Sequence, residues 1–104
     1  MSAPTQDPPT MDVHAEVTWI ELQHASGLPE TTLVELVRYG ALVPRDPAAV
    51  TWTFEARWLV VARHASRLAR EYELDAYGVS VVLSYCERIE RLEAEIRALR
   101  AQLG

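Results

Sequence analysis

The sequence predicts a mainly α-helical fold, in which a helix-turn-helix body with a wing is followed by a long helix and a C-terminal coiled-coil helix. Three observations carry that expectation. Two short amphipathic segments between residues 18 and 40 are joined through Gly27, which is the pattern of a helix-turn-helix. A Pro- and Asp-containing stretch between two β-compatible runs comes next. Between residues 82 and 103 the apolar side chains recur three and four apart, a sustained 3.5-residue repeat.

Within the first segment, "EVTWIELQHASG", a short extended entry leads into a helix. Thr18 and Glu21 have capping-box spacing, in which hydroxyl and carboxylate satisfy the orphan amides of a helix start. Ile20, Leu22 and Ala25 supply its apolar face, and Gly27 ends it in a tight turn. Pro29 suits the first position of the second helix, where Leu33, Leu36 and Val37 form one buried stripe. Gly40 closes that helix, and Pro44 prevents its continuation.

"ALVPRDPAAVTWTF" reads as strand, loop and strand, with residues 41–43 and 50–54 pairing as a wing-like hairpin. Thr53 is placed to cap a long helix from about residue 54 to residue 73. Its apolar face gathers Phe54, Trp58, Val61, Ala62, Ala65, Leu68, Ala69 and Tyr72, while Arg63, Arg67 and Arg70 share the opposite side as a solvated stripe. At "ELDAYG" the chain breaks, and Asp75 caps a last helix running to Leu103. There Val82, Ile89, Ile96 and Leu103 occupy one heptad position, and Tyr85, Leu92 and Leu99 the other. Glu87 with Arg91 and Glu93 with Arg97 add favourable i,i+4 pairs on its polar surface.

The seam extends past a body with too few helices to cover it. Ile and Leu left in water form a costly patch, so the second helix expected there is the same helix from another subunit. Folding back on the long helix is the alternative within one chain. Heptad content alone leaves parallel and antiparallel pairing open.

The 104 residues suit one domain, divided here into a disordered leader over 1–15, the winged body with its long helix over 16–75, and the coiled-coil helix over 76–104. The start "MSAPTQDPPTMD" lacks the basic and apolar regions of a secretory signal, and no apolar run approaches the roughly 20 residues of a membrane span. A single cysteine, Cys86, excludes an internal disulfide and fits a reducing, cytoplasmic setting.

Charge is distributed unevenly. Through Thr53 the acids Asp7, Asp12, Glu16, Glu21, Glu30, Glu35 and Asp46 face only Arg38 and Arg45, seven against two, whereas eight acids and eight arginines share the remainder. The imbalance falls on the half holding "LPETTLVELVRYG", where a DNA-reading helix belongs. Affinity for a duplex comes largely from phosphates neutralised by Lys and Arg, so this charge argues against DNA.

Nothing proposes catalysis, a metal or a cofactor. His14, His24 and His64 stand on separate segments without a second ligand at metal spacing, and the four glycines stand singly rather than in a phosphate loop. Cys86 has no visible ligand set and reads as a small helix-face residue. Trp19, Trp52 and Trp58, in a setting so poor in cations, read as core and hairpin packing residues rather than base-stacking platforms.

The order helix-turn-helix, wing, long helix and terminal coiled-coil helix, over about residues 17–103, resembles the MerR family of transcription regulators. That family usually keeps an arginine after a Thr-Leu pair in its second helix and another in the wing beside an aromatic. In "TTLVELVRYGALVP" and "TWTF" those positions carry Val34 and Trp52. A narrower resemblance is to the chaperone modulator CbpM family. It rests on "GLPETTLVELVRYGALVPRD" and on "RLAREYELDAYGVSVVLSYCERIERL", where Leu68, Leu74, Gly78, Val79 and Leu83 match the family's spacing.

That resemblance implies a partner. Members bind the J-domain of a DnaJ-like co-chaperone, CbpA, and hinder both its stimulation of the DnaK ATPase and its DNA binding. J-domains dock through a basic helix, which an acidic helix-turn-helix surface complements. Glu30, Val34, Glu35 and Arg38 are the candidate contacts, chosen by the helix and its charge. Val82, Tyr85, Ile89, Leu92, Ile96, Leu99 and Leu103 are the candidate dimerisation residues. The alternative is a MerR-like transcriptional regulator that binds DNA through Arg38, Arg45 and the Arg63–Arg67–Arg70 stripe.

Overall fold

Local capping rules set where the first helix begins. In the computed structural model, which describes residues 15–104, strand β1 (Glu16–Thr18) runs directly into helix α1 (Trp19–Ser26). At that junction Glu21 N–H donates to Thr18 Oγ1 and Thr18 N–H donates to Glu21 Oε1, both at 3.1 Å. The capping box read from the sequence is therefore closed on both sides. The leader expected over residues 1–15 lies, Ala15 apart, outside the described residues.

After α1 come α2 (Glu30–Arg38), strand β2 (Thr53–Glu55), α3 (Arg57–Glu71) and α4 (Ala76–Leu103). Leu33 and Leu36 of α2 are wholly buried with Leu22 of α1, and α1 packs across α3 while α2 packs on the start of α4. Phe54, Ala62, Ala65, Leu68 and Val79 complete the interior. Small residues on the buried side of α3, Ala62 and Ala65, allow its neighbours a close approach. The mainly helical, winged helix-turn-helix class is thus the observed one.

The wing is built differently from expectation. Residues 41–43 form no strand, because the amides of Ala41 and Leu42 are used to end α2. Gly40, with φ 78°, donates to Val37 O at 3.0 Å, and Ala41 N–H donates to Leu36 O at 2.9 Å. This pair of bonds is a Schellman closure, and the left-handed backbone it requires is free of penalty only at glycine. Leu42 N–H also turns back to Leu36 O, at 3.3 Å, and its side chain is buried. β2 pairs instead with β1, antiparallel, with Val17 opposite Phe54. The stretch between α2 and β2 is a loop tied to that sheet by Arg45 N–H donating to Thr53 O at 2.8 Å.

Three smaller expectations are corrected. Thr53 does not cap α3: it lies in β2, and α3 begins after Ala56 with no side-chain cap. Burial of Phe54 opposite Val17 outweighs the cap that Thr53 could have made. Ile20 is exposed, since two residues along a helix place it about 200° from the buried Leu22. Tyr72 is exposed as well, because α3 ends at Glu71 and leaves it beyond the helix face.

α4 starts as the sequence indicates. Gly78 N–H donates to Asp75 Oδ1 at 2.8 Å. A Cβ on Gly78 would meet that oxygen and Leu74 Cδ2 at 3.3 Å, a tight approach that explains why the smallest residue stands there. Ala76 and Val79 are buried, with Leu74, Val82 and Leu83 partly covered beside them. From Glu87 to Gly104 every residue is exposed. Twenty-eight residues rise about 42 Å, so much of α4 stands clear of the body.

Candidate partner-binding face

Burial of Leu33 and Leu36 fixes which side of α2 faces solvent. At 100° per residue, Val34, Arg38 and Thr31 fall opposite that buried pair, with Glu30 and Glu35 on the two flanks. Glu30, Glu35 and Arg38 are all exposed, and Val34 is half-buried. Among the described residues none of the three charged groups is held in an ion pair. This face presents two carboxylates and one guanidinium.

The structure brings Glu30 and Val34 together at a cleft and sets Glu35 and Arg38 outside it. The cleft, about 410 Å³, lies between α2 and the tied loop, and Trp19, Val50 and Trp52 complete its apolar surface. Its walls are held in place by several contacts. Trp52 Nε1–H donates to Pro47 O at 3.1 Å, and Asp46 Oδ1 accepts from Ala48 N–H at 3.0 Å. Trp19 meets Trp52 edge-on at 5.5 Å between centroids and stacks on Phe54 at 6.2 Å, distances at which aromatic pairs attract.

Sequence reasoning assigned the tryptophans to packing and missed this cleft. Trp19 and Trp52 do pack against one another, but both also line the cleft, which Trp58 does not border. The available signal was Val50, a β-branched apolar residue at the end of the run "PRDPAAV", which is otherwise made of Pro, Ala, Arg and Asp.

The second candidate region is the stripe on α4. Tyr85, Ile89, Leu92, Ile96 and Leu99 are 47–59% exposed and Leu103 is 89% exposed. On a helical wheel the stripe lies about 150° from the face that packs Ala76, Val79 and Leu83 against the body. It therefore does not fold back on α3. Val82 differs from the rest of its heptad set: it is half-buried against the core and sits at the edge of the stripe. On the polar side Glu87 and Arg91 approach to 3.6 Å, whereas Glu93 and Arg97 do not close.

Arg63, Arg67 and Arg70 lie exposed along α3, as expected. Arg57, near the start of the same helix, is drawn to Glu55 at 3.2 Å and sits over the Trp58 ring at 5.3 Å. His64 and Cys86 border a groove of about 400 Å³ between α3 and α4. Among the described residues no group of three or more His, Cys, Asp or Glu side chains converges to hold a metal. No described helix is long and apolar enough to cross a membrane.

Two short helices at the amino end, a tied wing loop and a projecting last helix define a regulatory domain of the MerR type, and residues 17–101 match the sequence profile of the MerR HTH family regulatory proteins. Proteins named chaperone modulatory protein CbpM from Escherichia coli K12, from Escherichia coli O157:H7 and from Shigella boydii serotype 18 are each 36% identical to this chain over 79 residues, covering 76% of it and 78% of their own length. The chain belongs to the CbpM family, a MerR-like branch of helix-turn-helix proteins.

Proposed function

We propose that this chain is a non-enzymatic, cytoplasmic chaperone modulator that binds the J-domain of a DnaJ-like co-chaperone of the CbpA type. Binding inhibits the co-chaperone activity of that partner and its own DNA binding. The observation that carries this reading is the solvent face of α2, where Glu30 and Glu35 stand exposed on either side of Val34 and Arg38. A helix in the DNA-reading position with this charge repels phosphates and attracts a cationic helix. Kinship with proteins named for chaperone modulation supports the same choice of partner class.

The chain acts as a homodimer through Tyr85, Ile89, Leu92, Ile96, Leu99 and Leu103. Supporting this is the stripe's position, turned away from its own body and left in water along the outer part of α4. Val82 contributes at the inner edge.

The test is an ATPase assay with a DnaK-type chaperone and a CbpA-type co-chaperone. Added in excess over the co-chaperone, the protein should abolish the stimulated ATPase and leave the basal rate unchanged. Full stimulation at saturating protein would refute the reading. The exposed Arg63, Arg67 and Arg70 favour the second reading, a MerR-like regulator that holds DNA, and the same preparations titrated with duplex decide between the two.

A further inference from the structure

The cleft beside α2 carries an inference that rests on the J-domain reading and deepens it. Val50 is fully exposed, at 105% of its reference area, on a loop that is tied down rather than free. Trp52 Nε1–H to Pro47 O and the turn at Asp46 fix the loop around it, so the valine has no local route out of water. Opposite stands Val34, half-buried on α2, and between them lie the outer edges of Trp19 and Trp52. The carboxylate of Glu30 stands at the rim.

We infer that this cleft is a hydrophobic seat for one bulky aliphatic or aromatic side chain projecting from the partner's cationic helix, with Glu30 pairing a basic residue beside it. The charge of the surroundings selects the occupant. Within residues 15–53 the acids Glu16, Glu21, Glu30, Glu35 and Asp46 outnumber Arg38 and Arg45, so the bound segment is cationic. Its centre is apolar, because a charged group entering the seat would exchange water for indole and valine edges. Charge then governs encounter and selection, while the buried side chain governs residence. Val50, Val34 and Trp52 become specificity-determining residues alongside the acidic ones.

The experiment titrates the full-length protein with the J-domain of a CbpA-type co-chaperone, comparing wild type, Val50→Asp and the pair Glu30→Arg with Glu35→Arg. A photo-crosslinking amino acid placed at position 50 supplies a direct readout of contact. Because Val50 is fully exposed, Val50→Asp should leave the thermal midpoint unchanged and lower J-domain affinity at least tenfold, and the crosslinker should couple to the J-domain. If Val50→Asp binds as wild type while the glutamate pair loses affinity, the seat is empty and this inference falls with the acidic-helix reading intact. If wild type itself fails to bind the J-domain, both fall. If Val50→Asp weakens binding to duplex instead, the occupant is nucleic acid and the inference is overturned.

Discussion

The helix-turn-helix end and the outer part of α4 both stand open to solvent, and they present opposite chemistry. Around α2 the charged side chains are predominantly acidic, Glu30 and Glu35 are in no ion pair among the described residues, and an apolar cleft borders the helix. Along α4 acidic and basic side chains are interspersed in equal number from Glu87 onward, while apolar ones form a continuous stripe. Coulombic attraction acts at a distance and is screened by salt, whereas apolar burial is short-ranged and is not. On the proposed reading, recognition of a foreign partner and self-association separate onto two surfaces that respond to different conditions.

The comparison can be broken most severely at the stripe. Leu92→Asp or Ile96→Asp would bring an unpaired charge into the seam. We expect complete loss of the dimer, read as a halved mass by light scattering, with J-domain binding retained by each monomer. An unchanged mass would place self-association elsewhere. Within the body, Leu33→Ala empties a wholly buried site that positions the acidic face and should cost about 2–5 kcal/mol in urea unfolding. A loss below about 1 kcal/mol would mean that α2 is not fixed by that contact.

Reversing charge sharpens the contrast. Glu30→Arg with Glu35→Arg should lower J-domain affinity about tenfold, close to 1.4 kcal/mol, without altering the dimer mass. Equal affinity in calorimetry would move the contact off α2. Raising salt to about 1 M, where screening acts over about 3 Å, should weaken partner binding and spare the dimer. The smallest effect is expected at the first cap: Thr18→Ala removes the hydroxyl that accepts Glu21 N–H and should cost about 1 kcal/mol of stability, leaving both interactions unchanged.

Much of the architecture was legible because it is written in local chemistry. The capping pair Thr18 and Glu21, the turn at Gly27, the cap at Asp75 and the heptads from Tyr85 onward all act over a few residues, and each stands in the structure as read. The wing was misread because strand propensity at residues 41–43 competes with a nonlocal demand. Ala41 and Leu42 close α2 against Leu36 O, and β2 finds its partner in β1, far earlier in the chain. The same limit applied to Thr53, a competent cap by type that the pairing of Phe54 with Val17 holds in the sheet.

At the candidate site, charge could be counted from the sequence but shape could not. Glu30 and Val34 were chosen because they share a helix with few cations, and the structure adds that both border one cleft. Trp19, Val50 and Trp52 belong to other segments, so their meeting with Val34 depends on the loop's return path. Val82 shows the reverse case: its heptad position was readable, and its partial burial in the body was not.

The central claim is that the helix in the DNA-reading position takes a cationic protein surface as its ligand. Calorimetric titration of the full-length protein with a CbpA-type J-domain and, separately, with random duplex in the same moderate-salt buffer tests it most directly. Saturable submicromolar binding of the J-domain with no heat from duplex is the result predicted. Submicromolar binding of duplex with none of the J-domain would contradict it.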